Sequence, residues 1–301
     1  MSFLGAIDAG GTSWRCAIYQ NNLTLMARIS FATTTSDETL GRAVEFFNSH
    51  AVQGYAVTSI GIACFGPLGV IKGQPKYGQI LQTPKTGWSG VDVAGILARA
   101  VGCKIAIDTD VTAAAWGELA WGAGQGLTNI AYVTVGTGIG AGIIAEGRAI
   151  HGAMHPEAGH MRVPRHPKDL DFVGVCPFHG DCIEGLASAP ALKARWGIDP
   201  AKLSDEHPAW DIQAHYLAHL AVNLVLMTAI QRVIFGGGVS ARVGLVSRVA
   251  DKAKGLLGHY GTAAPLGPGF EIVGAGLGLD AGLLGALVLA RNFKFGVEMS
   301  V

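Results

Sequence analysis

The chain has 301 residues, of which 50% are hydrophobic and 15% are charged, and its 22 basic and 22 acidic residues give a formal net charge of zero. This composition excludes an intrinsically disordered chain, and a neutral chain without a basic run lacks the electrostatic surface that nucleic-acid-binding proteins use. The length suits two domains, each with its own hydrophobic core.

The cysteines and the N-terminus indicate the compartment. The chain has five cysteines: Cys16, Cys64, Cys103, Cys176 and Cys182. Three of the five are isolated in apolar or mixed surroundings, which suits buried thiols in a reducing cytosol better than a disulfide framework. The N-terminus has no positively charged region and reaches Asp8 at once, so we expect no signal peptide. The apolar runs 220–230 and 281–290 are too short to span a bilayer, so we expect a cytoplasmic protein without membrane contact.

The first segment, residues 3–19, predicts a strand, a tight turn and a second strand. In the turn, Gly10 and Gly11 permit positive φ and leave backbone N–H groups unshielded, while Thr12 adds a hydroxyl donor, so the turn is a candidate phosphate site. Asp8, at the strand end, is a candidate ligand for a hydrated Mg²⁺ beside phosphate oxygens. An ordinary glycine-rich hairpin explains this segment equally well.

The following elements lead to a second acidic strand end. Hydrophobic patterning predicts a helix over 39–50, a buried strand over 58–64, a helix over 91–101 and a short strand over 105–107. The short strand continues through Asp108 and Asp110 into an alanine-rich helix predicted over 112–121. Either aspartate would serve as the N-cap of that helix. We assign the functional role to Asp110, because it lies nearer the helix entrance.

Residues 130–145 repeat the opening pattern of strand, glycine-rich turn and strand, with the turn at Gly136, Thr137 and Gly138. The repeat predicts two domains, each opening with a hairpin whose turn can hold phosphate, around one nucleotide. A Rossmann fold is the rival explanation, but it requires a helix rather than a second strand after each turn. We expect the domain boundary near residues 110–112, with the C-terminal helix crossing back.

A cysteine- and histidine-rich segment predicts a metal site formed by His160, Cys176, His179 and Cys182. Two thiolates and two imidazoles suit a closed tetrahedral zinc site that orders a loop poor in apolar residues. His155 or His166 could replace His160 as the fourth ligand. The rival interpretations are a disulfide between the two cysteines or two unligated thiols beside surface histidines. A catalytic zinc is disfavoured, because four protein ligands leave no open position.

Two carboxylates flank the metal ligands, Glu157 and Glu184. A rigid metal loop would preorganise them as hydrogen-bond acceptors for a polyhydroxylated substrate. Further along, His215 and His219 have the i, i+4 spacing of a metal pair within a helix predicted over 208–231. We prefer an exposed helix face or a subunit contact for them, since no third ligand is evident nearby.

In the last part of the chain, each predicted strand is followed by a group of glycines. A buried strand predicted over 233–235 precedes Gly236, Gly237 and Gly238, which would let a flat group approach the backbone closely. Residues 272–280 repeat this pattern before a final apolar helix that includes residues 281–290.

These motifs, in this order, resemble the ROK family of sugar kinases in the actin–hexokinase superfamily, over essentially the whole chain. The resemblance implies an α/β fold of two ribonuclease H-like domains with an interdomain cleft and a small zinc-bound loop. It places a small domain at residues 1–111, joined by the C-terminal helix at about 286–301, and a large domain at residues 112–285.

The resemblance also implies roles for the motif residues. Asp110 would be the catalytic base and a sugar contact, and the other sugar contacts would be Glu157, His160 and Glu184. The nucleotide would be bound by Asp8, Gly10, Gly11, Thr12, Gly136, Thr137, Gly138, Gly236, Gly237 and Gly238. Zinc, ATP and Mg²⁺ are the implied cofactors, and a homodimer is the implied assembly.

Departures from the glucokinase pattern refine the expected substrate. The glucokinase branch has the sequence Asp-Asn-Asp, whereas this chain has Thr109 between its two aspartates. That branch also has a Cys-x-Cys zinc loop, whereas the two cysteines of the loop here, residues 176–182, are six positions apart. Three features resemble the bacterial fructokinase branch: the loop over residues 176–182, the sequence His155-Pro156-Glu157, and residues 83–88. The resemblance thus implies ATP-dependent phosphorylation of the C6 hydroxyl of a hexose, D-fructose first. Mannose, glucose or N-acetylmannosamine are the alternatives, and a non-catalytic sugar sensor is disfavoured by the intact Asp110.

Overall fold

Two five-stranded mixed sheets organise the protein, a computed structural model of which describes residues 2–258 and 270–295. The first sheet contains β1 (Phe3–Ala9), β2 (Ser13–Gln20), β3 (Leu25–Ala32), β4 (Val57–Cys64) and β5 (Lys104–Thr109). The second contains β6 (Ile130–Val135), β7 (Ile139–Ala145), β8 (Arg148–Ala149), β9 (Arg232–Gly236) and β10 (Glu271–Gly274). The spatial orders are β3-β2-β1-β4-β5 and β8-β7-β6-β9-β10, so the two sheets share one topology.

Strand pairing follows the same rule in both sheets. The first three strands form an antiparallel meander, and the last two strands add in parallel beside the first. A parallel strand needs a crossover, and a helix supplies it each time. The predicted internal duplication into two α/β halves is therefore confirmed.

Eight α-helices of the described residues cover both faces of each sheet. They are α1 (Ser36–Val52), α2 (Val93–Val101), α3 (Asp110–Trp121), α4 (Ile183–Ala187), α5 (Ala189–Trp196), α6 (Ala209–Thr228), α7 (Leu245–Leu257) and α8 (Ala281–Phe295). Helices α1 and α2 pack with the first sheet through one apolar core, and α6 and α7 pack with the second through another. A third core holds α3 and α8 between the two sheets.

The contact between α3 and α8 joins the halves tightly. A Cβ on Gly285 of α8 would lie 1.7 Å from the carbonyl oxygen of Ala113 in α3. A Cβ on Gly61 of β4 would lie 1.8 Å from the carbonyl oxygen of Ala286 in α8. Only glycine allows backbones to approach this closely, so α8 is fixed against both α3 and the first sheet.

The sequence-based elements are confirmed with small shifts at their ends, but the cap of α3 is neither of the two aspartates that could have served. The N-cap of α3 is Thr109, whose hydroxyl accepts the N–H of Thr112 at 3.2 Å, rather than Asp108 or Asp110. Threonine also caps helices well, and its use here leaves both carboxylates for other contacts. The sequence analysis did not identify β3, β8, α4, α5 or α7.

The predicted domain limits stay a prediction. Helix α8 packs against β1, β4 and β5 of the first sheet, although it follows the last strand of the second. The part of the predicted C-terminal helix over residues 296–301 lies outside the described residues. Among the helices of residues 2–258 and 270–295, none combines the length and the apolar character that crossing a membrane requires.

Candidate active site

A cavity of about 160 Å³ lies between the two sheets and is lined by residues of both. The first half contributes Asp8, Arg15 and Asp110, which are charged, whereas the second half contributes Tyr132, Thr134 and Gly237, which are not. Asp8 ends β1, and Asp110 begins α3 directly after β5, so both carboxylates lie at the carboxyl edge of the first sheet. Crevices at that edge are where α/β sheets bind ligands.

Asp110 has the properties of a proton acceptor. Burial, and then the charge of Asp8, raise the pKa of the Asp110 carboxyl to about 7, despite a hydrogen bond that its Oδ1 accepts from the N–H of Val111 at 2.9 Å. A general base works best when its pKa lies near the operating pH. Asp110 therefore combines a cleft position with a suitable proton affinity.

Asp8 is paired with a cation that the sequence analysis missed. The guanidinium of Arg15 forms an ion pair with the Asp8 carboxylate, and its second nitrogen lies 3.3 Å from Asp280 Oδ1. Burial raises the pKa of Asp8, although the charge of Arg15 opposes that effect. The sequence held a signal for this pair, since Asp8 and Arg15 flank a tight hairpin turn and are opposite each other in the register of β1 and β2.

The predicted nucleotide residues are only partly brought together. Asp8 and Gly237 line the cavity, whereas the two glycine-rich turns lie outside its lining. Within those turns, the N–H of Gly10 donates to the Ser13 carbonyl at 3.0 Å, and that of Gly136 donates to the Gly138 carbonyl at 2.9 Å. These two N–H groups are therefore used by the turns themselves.

The predicted sugar residues are close to one another and to Asp110. Burial raises the pKa of Glu157, an effect that His160 opposes and the Glu184 charge reinforces. The Glu157 charge in turn contributes to the raised pKa of Asp110. Glu184 Oε2 accepts the N–H of Ile139 at 2.9 Å, so this carboxylate also contacts the second glycine-rich turn. Four predicted site residues thus form one electrostatic group.

The predicted metal ligands also meet, as His160, Cys176, His179 and Cys182, with one ligand atom of each within 4.8 Å of the others. His160 Nδ1 lies 3.8 Å from Cys176 Sγ and 3.6 Å from Cys182 Sγ. Zn–S and Zn–N bonds of about 2.3 and 2.1 Å give tetrahedron edges of about 3.5–3.8 Å, so the donor set and its spacing fit Zn²⁺. Both cysteines are free thiols, contrary to the disulfide interpretation.

The alternative histidine ligands lie elsewhere. His155 Nε2 accepts the N–H of Leu68 at 3.1 Å, and His166 Nε2 lies 3.5 Å from Asp211 Oδ2. His215 and His219 stack at 4.6 Å between ring centroids, but within the described chain they are not part of a group of three or more metal-ligating side chains. His160 is therefore the fourth member of the cluster.

Comparisons with known proteins agree with this architecture. A model of the ROK family matches residues 4–293. The chain is 43% identical to a fructokinase of Zymomonas mobilis, with 95% of each chain covered. It is 40% identical to a fructokinase of Pediococcus pentosaceus, with 96% of this chain and 97% of that one covered.

The fold is similar to that of a ROK hexokinase from Thermus thermophilus, with a TM-score of 0.78, 23% identity and coverage of 98% of this chain and all of that one. The two halves are therefore domains of the actin/hexokinase type, as the sequence predicts. The family match spans nearly the whole chain and the relatives named above share about two-fifths of their residues with it. This protein belongs to the ROK family.

Proposed function

We propose that this protein is a fructokinase, which transfers the γ-phosphoryl group of ATP to the C6 hydroxyl of D-fructose and releases ADP. The observation that carries the chemistry is the position of Asp110 in the cavity between the two sheets, with the charge of Glu157 among the causes of its raised pKa. The choice of fructose is supported by relatives that bear the name fructokinase, which are 39–43% identical over 86–97% of their length. We place the protein in the cytoplasm, where ATP is available.

Asp110 acts as the general base. It accepts the proton of the C6 hydroxyl as that oxygen attacks the γ-phosphorus. With a pKa of about 7, a substantial fraction of Asp110 is ionised at neutral pH, and its conjugate acid forms readily when the proton arrives. Phosphoryl transfer otherwise needs alignment and electrostatic stabilisation more than covalent chemistry.

Glu157, His160 and Glu184 hold the sugar hydroxyls. One oxygen of Glu184 is bonded to the N–H of Ile139, which leaves its other oxygen for a hydroxyl. His160 directs Nδ1 towards the cysteine sulfurs, so its Nε2 is the atom that serves the sugar. His160 therefore has two roles, one ring nitrogen for each.

The phosphates of ATP lie in the cavity between the halves, with Asp8 as the Mg²⁺ ligand and Arg15 as a cation beside it. Gly10, Gly11 and Thr12, with Gly136, Thr137 and Gly138, border this phosphate region, and Gly236, Gly237 and Gly238 face the adenosine. Mg²⁺, when bound, neutralises charge that develops on the phosphate oxygens. Closing the cleft on the sugar excludes water, which would otherwise accept the phosphoryl group.

Zinc in this proposal is structural. His160, Cys176, His179 and Cys182 would hold one Zn²⁺, which ties the sugar-binding segment into a fixed shape. We extend the proposal to a homodimer, as the family resemblance implies. Molar mass in solution, measured by light scattering, tests that assembly directly.

The test of function is ADP release with MgATP and fructose, mannose, glucose, N-acetylmannosamine or no sugar. We expect fructose to give the highest kcat/KM and the product to be fructose 6-phosphate. Preference for another hexose would keep the mechanism and change the substrate. No sugar-dependent release by a folded, zinc-loaded sample would refute kinase activity and favour a sugar-sensing role.

A further inference from the structure

The segment 150–157 connects the second sheet to the proposed sugar contact Glu157, and two of its side chains reach across to the first sheet. His151 Nε2 lies 2.9 Å from Asp108 Oδ2. His155 Nε2 accepts the backbone N–H of Leu68 at 3.1 Å. Asp108 lies near the end of β5 and Leu68 follows β4, and these neighbouring parallel strands end at the same edge of the sheet.

The His155 contact is shielded from water, and the His151 contact is partly shielded, with 18% of the His151 side chain exposed. His155, Asp108 and Leu68 have exposed fractions of only 5%, 7% and 1%. A buried polar atom that loses its partner pays the full cost of its desolvation, so these bonds define the local geometry more strongly than surface contacts do. The second oxygen of Asp108 accepts the N–H of Thr109 at 2.7 Å, which fixes the orientation of the carboxylate.

The pKa values of the two histidines are shifted in opposite directions. Nε2 of His155 is an acceptor, which requires a ring without a proton on that nitrogen, and burial lowers the pKa of His155 accordingly. Burial lowers the pKa of His151 too, but the hydrogen bond and the charge of Asp108 outweigh it, so that its pKa is raised. Nδ1 of His155 faces the Pro156 carbonyl oxygen at 3.4 Å and the Glu157 carboxylate at 3.6 Å, and the charges of Asp108 and His151 also act on the ring.

Each contact lies two residues from a proposed functional carboxylate. Asp108 precedes Asp110 by two residues, and His155 precedes Glu157 by two residues. Few rotatable bonds therefore separate the paired atoms from the base on one side and the sugar contact on the other.

We propose that His151 and His155 form a clasp that sets the position of Glu157 relative to Asp110, and that they are positioning residues of the sugar site. The proposal rests on the proposed function, since it assigns the clasp to the hexose rather than to ATP. The clasp joins the two halves on the sugar side of the cleft. Loosening it leaves both carboxylates intact but misplaces one against the other, which lowers sugar affinity and turnover together.

The first experiment compares two substitutions of His155. In His155→Leu the acceptor for the Leu68 N–H is lost, whereas His155→Gln keeps an acceptor oxygen. For His155→Leu we expect the fructose KM to rise about tenfold or more and kcat to fall, with the ATP KM within about twofold of wild type. His155→Gln should recover most of the loss. Equal changes in both KM values, or no rescue by glutamine, would overturn the positioning role.

The second experiment is a double-mutant cycle on His151→Gln and Asp108→Asn. If the pair acts as one contact, the double variant loses no more fructose kcat/KM than the worse single variant. Losses that multiply would mean that the two residues act independently and that the clasp is not a unit. Zinc content and melting temperature, measured on every variant, identify any that fail to fold.

Amide hydrogen exchange separates failure of the clasp from failure of the proposed function. In His155→Leu, the peptide covering residues 66–70 should exchange about tenfold faster than in wild type, while peptides from α6 keep their rate. Unchanged exchange would overturn the clasp whatever the activity. If wild type phosphorylates no hexose, the proposed function fails, and the exchange comparison alone decides whether the clasp exists.

Discussion

The two halves share a topology but differ in chemistry where their hairpins meet the cleft. In the first hairpin, Asp8 faces Arg15 across the strands, and the equivalent pair in the second is Thr134 and Gly140. In the first half, β5 leads into Asp110, whereas the equivalent strand of the second half, β10, ends at Gly274. At these positions the first half therefore carries charged groups, and the second half carries small or neutral ones.

The difference shows how a duplicated fold divides the work of phosphoryl transfer. A charged half can position metal, phosphate and proton acceptor, whereas a glycine-lined half leaves room for the flat part of a nucleotide. Gly237 has φ of +86°, and a Cβ there would lie 2.5 Å from the Val135 carbonyl oxygen, so a side chain would disturb this edge. The shared topology of the halves forms the cleft, and the differences between their residues give the two sides of the cleft different roles.

The halves also differ in their insertions. Between β8 and α6 the second half carries the four candidate metal ligands and the proposed sugar contacts, where the first half has only a short connection between β3 and α1. This insertion leaves large apolar side chains in solvent: Leu170 is 66% exposed, Val173 81% and Phe178 70%. The exposed stretch around these side chains gains little from apolar burial, so a metal bound by the cluster is the expected source of its order.

The largest effect should follow from removing the charge that most distinguishes the first half. Asp110→Asn keeps the shape of the side chain but cannot accept the hydroxyl proton, so we expect kcat to fall by about 10²–10⁴ with fructose affinity nearly unchanged. Steady-state kinetics and calorimetric fructose binding measure the two quantities. Turnover near the wild-type value would remove Asp110 from the role of base.

Many of the features that distinguish the two halves were predictable from the sequence, because they depend on residues that are close together in the chain. Alternating apolar residues around glycine-rich turns predicted both hairpins, and the spacing of Cys176, His179 and Cys182 predicted the metal cluster. Asp110 was identifiable because it lies between a strand and a helix. The edge strand β3 was missed because most of its residues are exposed, which leaves little hydrophobic pattern.

Other features were not predictable because they depend on tertiary contacts. His151 and Asp108 are 43 residues apart in the chain, and their pairing exists only once the two halves pack. The ion pair of Arg15 depends on the strand register, which places this residue opposite Asp8. The cap of α3 was assigned to an aspartate although Thr109, a suitable residue, stood beside it, because propensity alone does not rank neighbouring caps.

The second largest effect should come from the insertion of the second half. Cys176→Ser removes one thiolate from the cluster, so we expect bound zinc to fall from about one per chain to near zero and the fructose KM to rise about tenfold or more. Cys103→Ser, at a free and half-buried thiol outside the cluster, is the matched control. Full activity in a metal-free sample would contradict a structural zinc.

The raised pKa of Asp110 predicts an intermediate effect on stability. The folded carboxyl titrates at about 7 and the unfolded one near 3.8, so the folded state binds the proton more tightly. Asp110 therefore destabilises the fold increasingly as pH rises from about 4 to about 7, and constantly above that. Asp110→Asn should raise the free energy of unfolding by about 4 kcal/mol at pH 8 and by only about 1 kcal/mol at pH 4.5.

Denaturant unfolding of wild type and Asp110→Asn at the two pH values measures this effect. Asp37→Asn, at an exposed carboxylate in the first turn of α1, is the control for the removal of one negative charge. A stability gain from Asp110→Asn that is equal at both pH values would mean that the pKa of Asp110 is not raised in the folded state.

The smallest effect is expected in the second half, where Gly237 leaves space for the nucleotide and contributes no charge. In Gly237→Ala the new Cβ meets the backbone of Val135 and the residue must keep φ of +86°, so the strand end has to shift. We expect the ATP KM to rise about tenfold while the fructose KM stays within about twofold. In Gly238→Ala the Cβ meets nothing within 4 Å, so the melting temperature should not change. If Gly237→Ala instead raised the fructose KM more than the ATP KM, the second half would serve the sugar as much as the nucleotide, and the division of work between the halves would have to be redrawn.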